Sequence, residues 1–208
     1  VMSADLDAVM KAMFDNTIPA MWIKVSYPSL KPLSSYVQDL LDRLVFFQTW
    51  VDEGPPVLFQ VPYFFFVQAF QTGALQNYAR KYTIPIDTVD FDFEFLGDAP
   101  TAKPEDGVYT HGLFLEGCKM GDNLMLAESD AKVLFAPMVV VLLKPCPSNQ
   151  LSTYQHYSCP VYRTTARKGI LSTTGHSTNF VMFMRIPTDL PEAHWITRGV
   201  ALINSLND

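Results

Sequence analysis

YSCPVYRTTARKGILSTTGHSTNFV, from Tyr157 to Val181, alternates two short β-like runs with polar turns, and its reading decides the class of fold. In the first run Tyr157, Cys159 and Val161 fall on one side of a period-two strand. Pro160 has no N–H for a ladder, which places that strand towards a sheet edge. In the last run Phe180, Met182 and Met184 alternate with Asn179, Val181 and Phe183, so both faces are largely apolar and a well-buried strand is expected. Between the runs, Arg163, Arg167 and Lys168 precede Gly169, a glycine available for positive φ in a hairpin loop. Ser172 to Asn179 then brings hydroxyls and amides around Gly175 and His176, which satisfy backbone groups in a tight turn. Gly169, Gly175, His176 and Asn179 are thus the expected structural turn residues.

The same alternation spreads outward from this stretch. Asp90-Phe91-Asp92-Phe93-Glu94-Phe95 is strict, with phenylalanines facing a core and carboxylates facing water. Those carboxylates lie about 7 Å apart along one strand face, too spread to converge on a cation. Residues 107–116 read as one strand, and Met138 to Leu143 as a fully apolar, central one stopped by Lys144-Pro145. Short strands separated by proline- and glycine-rich turns predict a small barrel or closed sandwich. Asp189 and Glu192 read as a capping box for a last helix, Leu190 to Leu206, with Trp195, Ile196, Gly199, Leu202, Ile203 and Leu206 on its stripe.

Ahead of Thr83 the period is helical. Leu6, Val9, Met10 and Met13 form a short stripe behind Ser3, a good N-cap. Pro19, Pro28 and Pro32 forbid a continuous helix over 17–33 and favour an extended crossing segment, too apolar to be a free linker. Ser34 or Ser35 caps a long helix to Asp52, with Val37, Leu40, Leu41, Leu44, Phe47 and Val51 on its stripe. A third helix runs over 63–82, with Gly73 and Ala74 small enough for close approach and Phe64 to Phe66 read as core filling. The expected architecture is α+β: a helical subdomain over 1–83, then an antiparallel β-barrel-like subdomain over 84–208 closed by a C-terminal helix.

Charged residues are 17% of the 208, sparse for a soluble domain, while 49% are hydrophobic. Such a protein covers part of its surface with another body. The net charge of −6 argues against nucleic acid and anionic membranes, and weakly against the acidic microtubule surface. The apolar runs Val57 to Phe70 and Val133 to Leu143 fall short of the roughly 20 residues a spanning helix needs. Three cysteines without CxxC spacing suggest a reduced intracellular compartment. The opening Val1-Met2-Ser3 has no signal-peptide character and reads as a cut from a longer polypeptide.

Together with PAMWIKVSYPSLKPL (Pro19 to Leu33), NYARKYTIPID (Asn77 to Asp87), PEDGVYTHGLFLEG (Pro104 to Gly117) and AHWITRGVAL (Ala193 to Leu202), the Tyr157–Val181 stretch resembles the C-terminal domain of dynein heavy chains. The axonemal (ciliary or flagellar) branch fits better than the cytoplasmic one, and the resemblance covers essentially the whole sequence. It implies a non-catalytic cap of a motor ring, on the face opposite the linker and spanning several AAA+ modules. Such a cap stabilises the ring and modulates how ATP hydrolysis is coupled to microtubule-based movement. The implied partner is the AAA+ ring of the same heavy chain, with other dynein subunits or regulators as further ones and no direct microtubule contact. The implied setting is cytoplasm and cytoskeleton, in the axoneme of a cilium or flagellum. Met21, Trp22, Val25 and Tyr27 are the expected ring-docking anchors, while Arg167 is expected to be a replaceable surface residue.

No chemistry of its own stands out. The sequence has no GxxxxGK[ST] phosphate cradle, so the ATPase sites implied by the resemblance belong to modules outside it. Neither HExxH nor paired CxxC occurs, and His111, His156, His176 and His194 lack metal-ligand spacing, so no metal or cofactor is expected. The sharpest enzyme reading makes Cys159 a nucleophile with His176 or His156 as base. Gly175-His176-Ser177-Thr178-Asn179 mimics a nucleophile elbow until its last residue. A buried small apolar cysteine and a hydrogen-bonded structural histidine are the preferred readings. Three functions therefore stand side by side: ring cap, docking module for subunits or regulators, and independent hydrolase.

Overall fold

The computed structural model describes residues 3–27, 29–167 and 179–206, and within them five α-helices and eleven strands. The expected turn residues Gly169, Gly175 and His176 lie outside the described residues. α1 (Ala4–Phe14) starts at Ser3, whose side chain accepts from the Leu6 N–H at 3.3 Å. The proline-rich segment that follows is not extended throughout, since α2 (Ala20–Ile23) makes one helical turn inside it. α3 (Leu33–Glu53) has no side-chain cap of its own, from Ser34 or any other neighbour. Asn16 caps it from a distance, its carbonyl accepting from the Leu33 N–H and its Oδ1 from the Ser34 N–H, each at 3.0 Å. Asparagine tolerates the left-handed φ of 53° that this double reach requires.

The run after α3 hides a strand, β1 (Leu58–Gln60), which pairs in parallel with β3 (Val108–His111). A 3-10 turn at Val61–Tyr63, carrying Pro62, delays α4 to Val67–Tyr82. The remaining elements are β2 (Val89–Leu96), β4 (Phe114–Glu116), β5 (Cys118–Met120), β6 (Leu126–Glu128), β7 (Phe135–Pro137), β8 (Val140–Pro147), β9 (His156–Thr164), β10 (Phe180–Pro187), α5 (Glu192–Arg198) and β11 (Ala201–Ser205). They form one sheet in the order β1-β3-β8-β2, a second in the order β10-β9-β11-β4-β7, and a β5-β6 ribbon.

Mixed α+β is what the structure shows, but the barrel is not. Among the described residues no sheet closes on itself. Closure would need a ladder between the edge strands β2 and β10, and these meet instead through side chains: Arg185 Nη2 donates to Asp92 Oδ1 at 2.7 Å. Asp92, expected in water with its neighbours, is only 8% exposed, whereas Asp90 and Glu94 do face solvent. The two sheets share one core, in which Phe91, Phe93, Val141 and Leu143 of the first meet Leu115, Cys159, Val161, Met184, Ile186 and Leu202 of the second. The backbone passes from one sheet to the other at Gly112, which splits the single strand expected over 107–116. Its φ is 93°, and a Cβ there would lie 2.6 Å from Gln60 Oε1 and 2.7 Å from Pro62 Cδ.

Two more expectations are corrected in the second sheet. β9 is interior rather than an edge; Pro160 is tolerated because the ladder to β11 begins only at Val161. β10 is the edge, and Phe183 on its outer face is 52% exposed. The closing helix is also much shorter than Leu190 to Leu206. No Asp189/Glu192 capping box forms: Pro191 is the N-cap, and Glu192 Oε1 accepts from the Ser158 N–H at 3.2 Å. α5 stops where Gly199 takes φ 65° as a left-handed cap. After Val200 the backbone runs on as β11, and Val200 to Ile203 are each no more than 1% exposed, as a strand flanked on both sides requires.

Candidate docking surface

The residues singled out for docking split into two kinds. Met21 and Val25 stand 47% and 89% exposed at and beyond the α2 turn, while Trp22 is half-buried. Tyr27 is turned inward. Its hydroxyl donates to Asp39 Oδ2 at 2.6 Å, and the same oxygen accepts from Arg43 Nε at 2.7 Å. The Tyr27 ring stacks on Tyr36 with centroids 5.2 Å apart, and the Arg43 guanidinium lies over it at 4.1 Å. The Ser26 and Tyr36 hydroxyls are hydrogen-bonded to each other. Burial, followed by the Asp39 carboxylate, pushes the Tyr27 phenol well up, so it stays a neutral donor. Tyr27 therefore clamps the segment to α3, whereas Met21 and Val25 face solvent. Trp22, Val25 and Tyr27 converge with Val37, Leu40 and Phe65 around an open hollow of about 340 Å³, which Met21 does not line.

The helices beside this segment are unusually bare. α1 buries none of its residues: Leu6 is 58% exposed and Phe14 91%. On α3 the packed side is Leu33, Tyr36 and Arg43, continued by Phe46, Phe47 and Trp50 in an aromatic cluster with Phe59, Tyr63 and Phe64. Most of the periodic stripe faces outward, with Val37, Leu41, Leu44 and Val51 all exposed. A helix apolar on both sides is one with neighbours on both sides. The aromatic spacing and the lone arginine carried the signal for the inner side. Of the phenylalanines read as core filling, Phe64 stacks on Phe70 at 4.1 Å, but Phe65 and Phe66 stay exposed.

The turn residue within view, Asn179, is buried and accepts from the Thr164 N–H at 3.0 Å while donating to the Thr164 carbonyl at 3.2 Å. Arg167 is not a free surface residue. Its guanidinium donates to Gly199 O at 2.7 Å and to Glu116 Oε2 at 2.6 Å, tying the end of β9 to the α5–β11 turn.

Cys159 is fully buried in the shared core, and burial drives its thiol well above the ordinary range. Burial likewise pushes Cys118 up to about 12. A nucleophilic cysteine needs the opposite environment. His156 is spoken for, its Nδ1 sitting 2.8 Å from the Tyr154 carbonyl. Among the described residues no three His, Cys, Asp or Glu side chains are grouped to hold a metal. Burial and the nearby Asp92 and Asp90 carboxylates raise the Cys146 thiol as well, so prolonged treatment of the native protein with iodoacetamide at mildly alkaline pH should label Cys146, which is only half-buried, slowly and before Cys118 and Cys159. Peptide mass mapping reads the result, and rapid labelling of Cys159 would restore the hydrolase reading.

The family model for the C-terminal domain of dynein heavy chains matches residues 1–204, so the match takes in the bare helical half and the sheets alike. Dynein axonemal heavy chain 3 of Mus musculus is 51% identical over 211 residues, spanning 100% of this sequence and 5% of the relative. Dynein axonemal heavy chain 1 of Homo sapiens is 50% identical, again over 100% of this sequence and 5% of the relative. Dynein axonemal heavy chain 12 of Homo sapiens is 49% identical over 210 residues, 100% of this sequence and 7% of the relative. The protein thus spans a small fraction of the length of the relatives it matches.

Proposed function

Because the protein belongs to the family of C-terminal domains of dynein heavy chains, we propose that it is the non-catalytic cap of an axonemal motor ring, docked on the AAA+ modules of its own heavy chain. In that role it stabilises the ring and modulates how hydrolysis at sites outside this domain becomes microtubule-based movement in a cilium or flagellum. The observation that carries the reading is the apolar face of the helical half. Leu6, Phe14, Met21, Val25, Leu41, Leu44 and Val51 are exposed in a protein with few charges to solvate them. The sheets are self-contained by comparison, sharing one closed core. For such a cap to do more than hold the ring together, its contacts must differ in free energy between ring states.

Tyr27 is a poor residue for testing this, because its loss would also open the clamp to Asp39 and Arg43. Met21 and Val25 are better, since they touch solvent and bear no internal load. Met21→Asp with Val25→Asp in the intact heavy chain should slow microtubule gliding severalfold and lower the melting temperature of the motor. The same pair should leave the stability of the 208-residue domain within about 0.5 kcal/mol of wild type, as exposed substitutions do. Wild-type gliding and ring stability in the variant would sink the cap reading.

A further inference from the structure

We propose that the hollow between the end of α3, α4 and the loop leading into β3 binds a small aromatic carboxylate. It measures about 460 Å³, within the roughly 300–1,000 Å³ range of sites that take drug-sized molecules. Its walls include Trp50, Phe59 and Phe64, then Phe70 and Gly73 of α4, and Lys103 of the loop. Gly73 makes the room. Glycine is the poorest helix former after proline, and in mid-helix it is normally explained by a neighbour that needs the close approach. Here no neighbour uses it, since a Cβ at Gly73 would meet no atom within 4 Å. The helix backbone is bared towards a space that the domain leaves unfilled, and an occupant from outside can lie against it.

The rings decide the body of that occupant. Trp50 and Phe59 meet edge to face at 5.2 Å, Phe59 and Phe70 tilt together at 5.1 Å, and Phe64 stacks on Phe70 at 4.1 Å. Trp50, Phe64 and Phe70 are only half-buried, so this aromatic wall still has surface to cover. A further ring extends it by offset stacking or by edge contact.

Charge decides its other end. Among the described residues Lys103 is the one charged group lining the hollow; it is exposed and forms no ion pair with any of them. The acids that follow it, Glu105 and Asp106, do not line the hollow. Asp106 is in any case held by Lys81 Nζ at 2.7 Å and by the Tyr82 hydroxyl at 2.6 Å. Asn77, one helical turn after Gly73, lines the same space, and its exposed amide bonds to no other described residue. An unpaired ammonium and an unpaired amide donor at the rim suit a carboxylate, whereas a cationic ligand meets like charge.

Titration calorimetry with naphthylacetate, naphthylethanol and naphthylethylamine tests this, first on the 208-residue protein and then on the intact heavy chain. The acid should bind saturably and at least about threefold tighter than the amine, with the alcohol between, the difference that one exposed ion pair makes. Lys103→Gln should erase that ranking and leave the affinity for the alcohol unchanged. Gly73→Leu should abolish detectable binding of all three, because its side chain takes the open space. Gly73→Ala should raise the melting temperature of the domain by about 1–4 °C, as replacing a helical glycine with free space around it does. Equal affinity for acid and amine, unchanged binding by Gly73→Leu, or no saturable binding at all overturns the site. So does a Gly73→Ala variant that melts below wild type, since the space would then be taken. Binding by the domain that is lost in the intact heavy chain gives the hollow to a neighbouring module and overturns the ligand. Neither Met21 nor Val25 lines the hollow, so the motility result on that pair stands or falls separately.

Discussion

Asp92→Ala unfolds at a temperature about 6–12 °C below wild type, from a loss of about 3 kcal/mol spread over a domain of this size. Asp92 sits where the edges of the two sheets meet. Its Oδ1 accepts from Arg185 Nη2 at 2.7 Å, and its Oδ2 from the Ser152 N–H at 3.2 Å and from the Ser152 hydroxyl. Arg185 also donates to the Ser152 carbonyl at 3.0 Å and lies over the Tyr154 ring. The two charged side chains are 12% and 19% exposed, so deleting one strands the other in a place water barely reaches. The gross cost comes from that orphaned charge rather than from the pair's net worth. Asp92→Ala with Arg185→Met should therefore melt above Asp92→Ala alone, a non-additivity that a double-mutant cycle in urea reads directly. A single variant within about 1 kcal/mol of wild type would mean that the sheets are held together by their apolar core only.

Trp195→Ala should cost about 3–5 kcal/mol, from the cavity left by a large buried ring. The side chain is fully buried, and its indole N–H donates to the Thr188 hydroxyl at 2.9 Å. That hydroxyl also accepts from the Leu190 N–H at 3.1 Å, so one buried threonine holds both the start of the last turn and its anchor. Trp195→Phe keeps most of the volume and loses only the polar contact, and its loss should be about a third as large. Chemical denaturation of the three proteins with unchanged m-values settles the order. Equal losses for the alanine and phenylalanine variants would show that the hydrogen bond, and not the packing, matters at this site.

The class of fold was legible because local periods are local facts. Leu6, Val9, Met10 and Met13 behind Ser3 foretold α1, and the Asp90–Phe95 alternation foretold β2. What could not be read was anything that depended on where distant strands end up. Closure of a sheet is a relation between β2 and β10, whose meeting point, Asp92 with Arg185, spans 93 residues of sequence. The last helix was misjudged for a different reason. Trp195, Ile196, Gly199, Leu202 and Ile203 match a helical stripe, yet Val200 to Ile203 equally match a strand buried on both faces, and only Gly199 marks the change. The candidate docking surface was half legible. Periodicity found the Val37, Leu41 and Leu44 stripe but could not say which side of α3 its own domain would claim. Phe46, Phe47 and Trp50 fix that side through ring contacts to Phe59 and Phe64, which come after the helix ends and so lie outside its period.

β11 has a consequence for the order of events during synthesis. It pairs with β9 on one side and β4 on the other, so residues made after every other strand form the middle of their sheet. Until Ala201–Ser205 leave the ribosome, β4 with β7 and β9 with β10 are two separate ribbons, each with a bare edge and an uncovered apolar face. Neither ribbon is stable alone, because two strands in water seldom are. The second sheet therefore can be completed only once β11 is made, and until then its open edges are sites for the wrong strand to add.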